Sequence, residues 1–188
     1  QTKEYKIKVN VHKHDPDSLR WKYMDKINDQ IQITGEQKSI IFGSEVFTYS
    51  VVNSKLYVYK NSLTNFGNGA PQATVGLPED KLPTSIIAFQ FNRSKTMLYA
   101  TSNGDGKVYE SADGEKWNES TMFGEGVELL LATLTNNDVS RICYIKKGAD
   151  EQRYFYYQTN DVPKETLDNA ENGGKVPSNF PTKNISYT

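Results

Sequence analysis

The residues that could act in catalysis or metal binding are few in this sequence. The two histidines, His12 and His14, are two positions apart, and Asp15 and Asp17 follow them. Imidazole and carboxylate groups at this spacing on one face of a strand could hold a transition metal. We interpret the segment instead as a strand that ends in an Asp-Pro turn. The sequence therefore predicts no metal site, and it offers no other histidine as a base.

A cysteine and a glycine-rich turn are the other candidates for chemistry. Cys143 is the only cysteine, so it forms no internal disulfide, and no histidine close by in its strand-like run (141–145) would activate it. We therefore expect a buried, unreactive thiol. Residues 103–106 (NGDG) resemble a calcium-binding loop, but Lys107 brings a positive charge where a ligand should stand. We interpret this run as a hairpin turn, and the sequence predicts no cofactor.

The charge balance excludes several classes of partner. Lysine and arginine total 22 and aspartate and glutamate total 23, so a net charge of −1 gives no electrostatic basis for binding nucleic acid or an anionic membrane surface. No apolar run approaches the roughly 18 residues of a membrane-spanning helix, so membrane insertion is not expected. The four arginines are too scattered for an anion-binding cluster: Arg20, Arg93, Arg141 and Arg153.

The start of the chain and its composition predict its location. The sequence begins at Gln1 without an initiator methionine or a recognisable signal peptide, so we expect a mature or trimmed chain. A composition rich in lysine, asparagine and tyrosine, with a single cysteine, suits a secreted bacterial protein. We therefore expect a secreted, periplasmic or cell-surface location.

Short strands separated by polar turns account for most of the chain. Residues 5–12 alternate apolar and polar side chains, which predicts a half-buried strand, and residues 19–27 could form one or two helical turns. Beyond residue 30, short apolar runs recur between glycine, proline, asparagine and aspartate. These runs predict strands at 39–43, 45–52, 55–60, 85–92, 96–101, 106–111, 116–121, 127–135, 140–147, 152–158 and 183–187.

The strands repeat in groups, which favours a propeller over a sandwich or a barrel. Segments that start near residues 39, 85, 128 and 183 begin alike, and Tyr59, Tyr109 and Tyr157 follow the first three. Repeats of roughly 40 to 50 residues with four strands each are typical of propeller blades. The predicted fold is all-β and β-propeller-like, a partial propeller of about three antiparallel blades with an N-terminal strand and a short helical turn. The alternative is chance similarity among apolar strands.

The same repeats predict the domain organisation. Residues 1–30 would form the N-terminal strand and a linker turn, and residues 31–188 would form the blades. The expected blade boundaries are 31–80, 81–125 and 126–182, with the start of a further blade at 183–188.

One hairpin carries the most informative motif. Residues 109–117 read YESADGEKW, and four of them match a known pattern: Ser111, Asp113, Gly114 and Trp117. They resemble the Asp-box, or BNR repeat, of sialidase-type propellers, whose pattern is Ser/Thr-x-Asp-x-Gly-x-Thr-Trp. Here the glycine directly follows the aspartate, so the loop is one residue shorter. Thr159 and Asp161 keep only the Thr-x-Asp part and would form a degenerate Asp-box.

The Asp-box resemblance implies a structural role for these residues. In such a hairpin the carboxylate of Asp113 accepts hydrogen bonds from backbone N–H groups, and Gly114 adopts a positive φ. Trp117 would bury its ring between blades. A catalytic or ligand-binding Asp113 is the alternative, but Asp-boxes lie on the propeller rim, away from the active-site face. The sequence therefore predicts no catalytic residue.

Two further segments extend the resemblance. Residues 14–21 (HDPDSLRW) look like a domain junction, and residues 176–181 (VPSNFP) look like a linker between blades, in a family of secreted proteins of gut bacteria. Those proteins of unknown function carry a small immunoglobulin-like domain followed by a propeller. The resemblance implies that residues 5–14 either end the preceding domain or join the propeller, and that more blades would follow residue 181.

The fold analogy predicts a non-enzymatic binding or scaffold module. Four tyrosines are expected to be exposed and to bind a glycan or protein ligand: Tyr49, Tyr59, Tyr154 and Tyr156. One alternative is a sialidase-like glycoside hydrolase, although the four arginines have no context like that of its arginine triad. The other alternative is assembly. Because three blades leave open strand edges, two copies could complete a six-bladed ring as a homodimer.

Overall fold

The computed structural model describes residues 35–63, 69–90, 95–102, 104–136, 139–159 and 171–180. Within these ranges all regular structure is β, and twelve strands form three antiparallel sheets of four strands each. Each sheet follows chain order, and the three sheets do not close into a ring. The prediction of an all-β, propeller-like fold with three antiparallel blades is therefore confirmed.

The three blades have the same order of strands. Blade 1 contains β1 (Gln37–Phe42), β2 (Glu45–Val52), β3 (Lys55–Ser62) and β4 (Pro71–Ala73). Blade 2 contains β5 (Ser85–Phe89), β6 (Met97–Thr101), β7 (Val108–Ser111) and β8 (Asn118–Glu119). Blade 3 contains β9 (Val127–Asn136), β10 (Val139–Lys147), β11 (Arg153–Thr159) and β12 (Glu171–Lys175). The first strands lie side by side, with β5 between β1 and β9.

Most strand predictions agree with these bounds to within a few residues, but the fourth strands do not. The sequence analysis misses β4, which has three residues, and β12, whose sequence ENGGK is polar and glycine-rich. The strand predicted at 116–121 is reduced to the two residues of β8. Pairing with the third strand, rather than local propensity, defines these short strands. The strand at 5–12, the helical turn at 19–27 and the strand at 183–187 fall outside the described residues.

Blades 1 and 2 pack face to face through a shared apolar core. Its buried side chains are Phe47, Tyr49, Leu56 and Val58 from blade 1, Leu98, Ala100 and Trp117 from blade 2, and Leu77 from the connection. The rings of Tyr49 and Trp117 meet edge to face, with their centroids 6.2 Å apart. Aromatic and aliphatic side chains of both sheets therefore build the blade interface.

Blades 2 and 3 pack in the same manner on the other face of blade 2. Tyr99 alternates with Leu98 and Ala100 along β6, so its side chain points toward blade 3. Edge-to-face contacts join Phe123 to Tyr99 and to Tyr144, with centroids 5.6 and 5.5 Å apart. Both faces of β5 and β6 are thus largely buried, which explains why these two strands lack a polar side.

An equivalent backbone hydrogen bond recurs in each blade and allows the three blade sequences to be aligned. The residue after each fourth strand donates its backbone N–H to a carbonyl oxygen at the first or second residue of the third strand. The pairs are Thr74 to Leu56, Ser120 to Val108 and Val176 to Arg153, at 3.0, 2.7 and 2.8 Å. In this alignment Tyr57, Tyr109 and Tyr154 are equivalent. The spacing of Tyr59, Tyr109 and Tyr157 in the sequence therefore does not mark equivalent positions, because the tyrosine-rich third strands offer several aromatic residues.

Candidate functional site

A groove of about 750 Å³ opens where the first strands of the three blades begin. The segments before β1, β5 and β9 contribute to it, and so do the β6–β7 and β10–β11 hairpins. Six charged side chains line it: Glu36, Lys38, Asp80, Lys81, Glu128 and Lys147. Loops that a rigid sheet holds at strand ends are common positions for ligand binding.

Lys38 is the most buried of the three lysines that line the groove. Its Nζ donates to the carbonyl oxygen of Thr84, a contact that joins the start of β1 to the segment before β5. Burial lowers the pKa of Lys38, and the nearby carboxylate of Glu36 partly offsets that effect. An ammonium group has three N–H donors, and the Thr84 carbonyl takes one of them. The half-buried Lys38 therefore keeps N–H donors beyond the one that Thr84 accepts.

A second part of the lining carries ion pairs. The Nζ of Lys147 lies 4.0 Å from a carboxylate oxygen of Glu128 and 3.3 Å from one of Glu151. These side chains remain partly or largely exposed to solvent, so each pair contributes at most about 1 kcal/mol to stability. The backbone of Lys147 is better fixed, because its N–H donates to the carbonyl of Gly126 at 3.0 Å.

Glycine backbone forms the rim where blades 2 and 3 meet. The carbonyl of Gly106 accepts hydrogen bonds from the N–H groups of Gly126 and Val127, at 2.9 and 3.1 Å. Gly106 has a φ of 69°, and a Cβ at this position would lie 3.2 Å from the nitrogen of Gly126. Only glycine tolerates both conditions without strain. These two hydrogen bonds therefore fix the backbone of the rim between the two blades.

Two hairpins beside the groove are closed by an aspartate–tyrosine pair that the sequence analysis missed. The hydroxyl of Tyr109 donates to Oδ2 of Asp105 at 2.9 Å, and that of Tyr154 donates to Oδ2 of Asp150 at 2.8 Å. In both hairpins Oδ1 of the aspartate accepts a backbone N–H two residues later, at 3.0 and 3.1 Å. A tyrosine four residues after an aspartate, repeated in two blades, is the signal that could have found it.

These contacts explain how the glycine-rich turn is closed and why the pKa of Tyr109 is raised. Because both carboxylate oxygens of Asp105 accept hydrogen bonds within the hairpin, they close the turn. Burial and the hydrogen bond with Asp105 raise the pKa of Tyr109 to about 12. Asn103, the first residue of the run that resembles a calcium loop, lies outside the described residues.

The turn between β7 and β8 lies at the opposite end of the strands from the groove, and the side chains of Asp113 and Ser111 form hydrogen bonds within it. Oδ1 of Asp113 accepts the N–H groups of Glu115 and Lys116, at 2.8 and 2.9 Å, and the hydroxyl of Ser111, at 3.1 Å. The Ser111 oxygen in turn accepts the N–H of Gly114 at 2.8 Å. Partial burial opposes ionisation, but these hydrogen bonds hold the pKa of Asp113 below its usual value.

The same turn is anchored to blade 1. The carbonyl of Gly114 accepts hydrogen bonds from the hydroxyl of Tyr49 and from Nε1 of Trp117, at 3.0 and 3.1 Å. Gly114 has a φ of 75°, and a Cβ there would lie 2.5 Å from the ring of Phe47. The side chain of Trp117 is buried in the interface between blades 1 and 2. Asp113 and its neighbours thus make their hydrogen bonds within the turn and to blade 1, at a distance from the groove.

Blade 1 has an asparagine in the position of Asp113. Counting five residues from Leu56 and from Val108, which the shared hydrogen bond aligns, reaches Asn61 and Asp113. Oδ1 of Asn61 accepts the N–H of Gly69 at 2.9 Å. An amide thus replaces the carboxylate in this repeat, and the Asp-box pattern is absent from its sequence. In blade 3, Thr159 is the last residue of β11, while Asp161 falls outside the described ranges.

The four tyrosines predicted to be exposed are not found together on the surface. The exposure expected for Tyr49 and Tyr59 is wrong, because both are fully buried, with 0% of their surface exposed. Alternation along a strand separates its two faces, but neighbouring segments cover both faces of a blade. Tyr154 and Tyr156 are half-buried, and Tyr156 stacks on Tyr144 with ring centroids 5.6 Å apart. None of the four is among the lining residues of the groove.

Other candidate residues lie elsewhere on blade 3. Cys143 is partly buried, and burial raises the pKa of its thiol although Arg141 acts in the opposite direction. Arg141 stacks on the ring of Tyr157, 4.8 Å from its centroid. Among the residues that the structure describes, no cluster of three or more His, Cys, Asp and Glu side chains could hold a metal ion. In the same residues no helix is long and apolar enough to cross a membrane.

Four-stranded antiparallel sheets that pack face to face, with their first strands side by side, are blades of a β-propeller. The chain belongs to the family described as the DUF6242 beta propeller domain, whose family model matches residues 15–188. No curated protein and no solved structure matches the chain.

Proposed function

We propose that this β-propeller domain is a non-enzymatic binding module whose ligand occupies the groove at the start of the first strands. The observation that carries this proposal is the groove itself, which segments from all three blades form around the half-buried Lys38. Paired sheets hold these segments in place, so the groove is preformed, as ligand sites usually are. The alternatives of a sialidase-like hydrolase and of a homodimeric ring have no comparable contact in their favour.

We also propose that the β7–β8 turn is an Asp-box of the shortened kind. Its support is the set of hydrogen bonds to Asp113 and the burial of Trp117 between blades. In this interpretation Ser111, Asp113, Gly114 and Trp117 stabilise the propeller and do not bind the ligand. The composition of the chain supports a further proposal, that the module belongs to a secreted or cell-envelope bacterial protein.

A ligand screen with groove variants tests the binding proposal. Labelled wild-type protein, Lys38→Met and Lys95→Met would be applied to a glycan array and to a phage library of random dodecapeptides. Lys95 is an exposed lysine of the β5–β6 connection, at the other end of the strands, so it serves as the matched control. We expect ligands that bind the wild-type and Lys95→Met proteins but bind Lys38→Met at least tenfold more weakly. No ligand in either set, or equal binding to all three proteins, would overturn the proposal.

A further inference from the structure

The chemistry of the groove points to one class of ligand. We infer that the groove binds an extended polypeptide segment with an acidic side chain, whose carboxylate pairs with Lys38. This inference rests on the proposed function and names the ligand class for the same groove. Binding of a glycan, the other ligand class, is one of the alternative outcomes of the test below.

The carboxylate follows from the environment of Lys38. Its ammonium is half-buried, and the structure gives it one hydrogen-bond acceptor, the carbonyl of Thr84. Partial desolvation disfavours the charged ammonium, as the lowered pKa shows. A ligand carboxylate would replace the hydration that the ammonium has lost, through a charge-assisted hydrogen bond. Such bonds contribute more than neutral ones, so Lys38 should dominate the affinity.

The polypeptide class follows from what the lining contains. Sugar rings are commonly held on the flat faces of aromatic side chains, yet no Phe, Tyr or Trp is among the described residues that line the groove. Its apolar contacts come from small aliphatic side chains, of which Val51 and Leu82 are half-buried. Aliphatic contacts beside both signs of charge suit a peptide with mixed side chains better than a neutral glycan.

The backbone of the groove adds a second argument for a peptide. β1 and β9, which contribute residues to the groove lining, are each the terminal strand of their sheet, so one edge of each has no strand partner among the described residues. A strand edge offers alternating N–H and C=O groups that an extended peptide can pair with. Gly35 and Gly104 line the groove, and a Cβ at either would meet no atom within 4 Å. The rim therefore leaves room for an incoming backbone.

The peptide arm of the screen tests this inference. Peptides selected by the wild-type protein from the random dodecapeptide library would be synthesised and measured by calorimetry. We expect enrichment of Asp or Glu at one position, and a loss of affinity of about tenfold or more when that residue is changed to its amide. The same change should have little further effect in Lys38→Met, since the pair is already broken, and Lys38→Arg should restore most of the binding.

The outcomes separate the two proposals. If glycans bind in a manner that depends on Lys38 and no peptide does, the binding groove stands and the polypeptide inference fails. If peptides bind but the amide change costs the same in wild type and in Lys38→Met, the pairing with Lys38 is wrong. If no ligand of either kind depends on Lys38, both proposals fail. Thermal melts of each variant would show that the losses do not come from unfolding.

Discussion

The β7–β8 turn and the groove lie at opposite ends of the same strands, and their polar groups have different partners. At the turn, Asp113 and Ser111 hydrogen-bond within five residues of chain, and the Gly114 carbonyl is held by Tyr49 of the neighbouring blade. At the groove, Lys38 has one backbone acceptor, and the side chains of Asp80 and Lys81 are exposed. The polar groups of the turn thus bond within the fold, whereas charged side chains of the groove are exposed to solvent.

Removing Trp117 should have the largest effect on stability. Trp117→Ala leaves a cavity in the interface between blades 1 and 2 and removes the hydrogen bond from Nε1 of Trp117 to the Gly114 carbonyl. We expect the free energy of unfolding to fall by about 3–5 kcal/mol, measured by chemical denaturation. Leu63→Ala is the control, because that side chain is 45% exposed and should cost about 0.5 kcal/mol or less. Equal losses in the two variants would show that Trp117 does not join the blades.

A pair of glycines compares the two ends directly. Gly114 and Gly104 both have a positive φ, 75° and 87°, but a Cβ meets the Phe47 ring only at Gly114. Gly104→Ala should cost about 1–2 kcal/mol from backbone strain. Gly114→Ala should cost about 1–3 kcal/mol more, since the Phe47 ring must move. Denaturant unfolding of both variants checks this order, and a larger loss at Gly104 would contradict the account.

The pH dependence of stability should show how much the ionised carboxylate of Asp113 contributes to the free energy of unfolding. Its pKa is lowered in the folded state, so its contribution is complete above the unfolded pKa of about 3.9 and is lost as the pH falls through the folded pKa. Wild type should therefore exceed Asp113→Asn in stability at pH 6, and the difference should shrink toward pH 3. Urea unfolding at several pH values measures it. A difference that does not change with pH would mean that the charge of Asp113 is unimportant.

Lys38→Met should have the smallest effect on stability. Among the described residues Lys38 has one hydrogen-bond acceptor, the carbonyl of the half-buried Thr84, so we expect a change in the free energy of unfolding below about 1 kcal/mol. Denaturant unfolding beside Lys95→Met checks this value. A loss as large as that of Trp117→Ala would place Lys38 with the residues that hold the blades together.

The sequence predicts the strands of this domain better than its sites. Alternating residues and turn signals suffice for β2 and β3, whose pairing is local. They fail for β4 and β12, which exist through pairing with the third strand, and for Tyr49, whose burial comes from the next blade. The groove could not be predicted, because residues as distant as Lys38 and Lys147 line it and only the packing of three blades brings them together.

The most direct test of the difference between the two ends is one binding measurement on two variants. A dodecapeptide selected by the wild-type protein would be titrated into Lys38→Met and into Asp113→Asn at neutral pH, where both variants remain folded by thermal melts. The account predicts that Lys38→Met loses about tenfold or more in affinity while Asp113→Asn binds like wild type. Binding that is lost in Asp113→Asn and retained in Lys38→Met would contradict it.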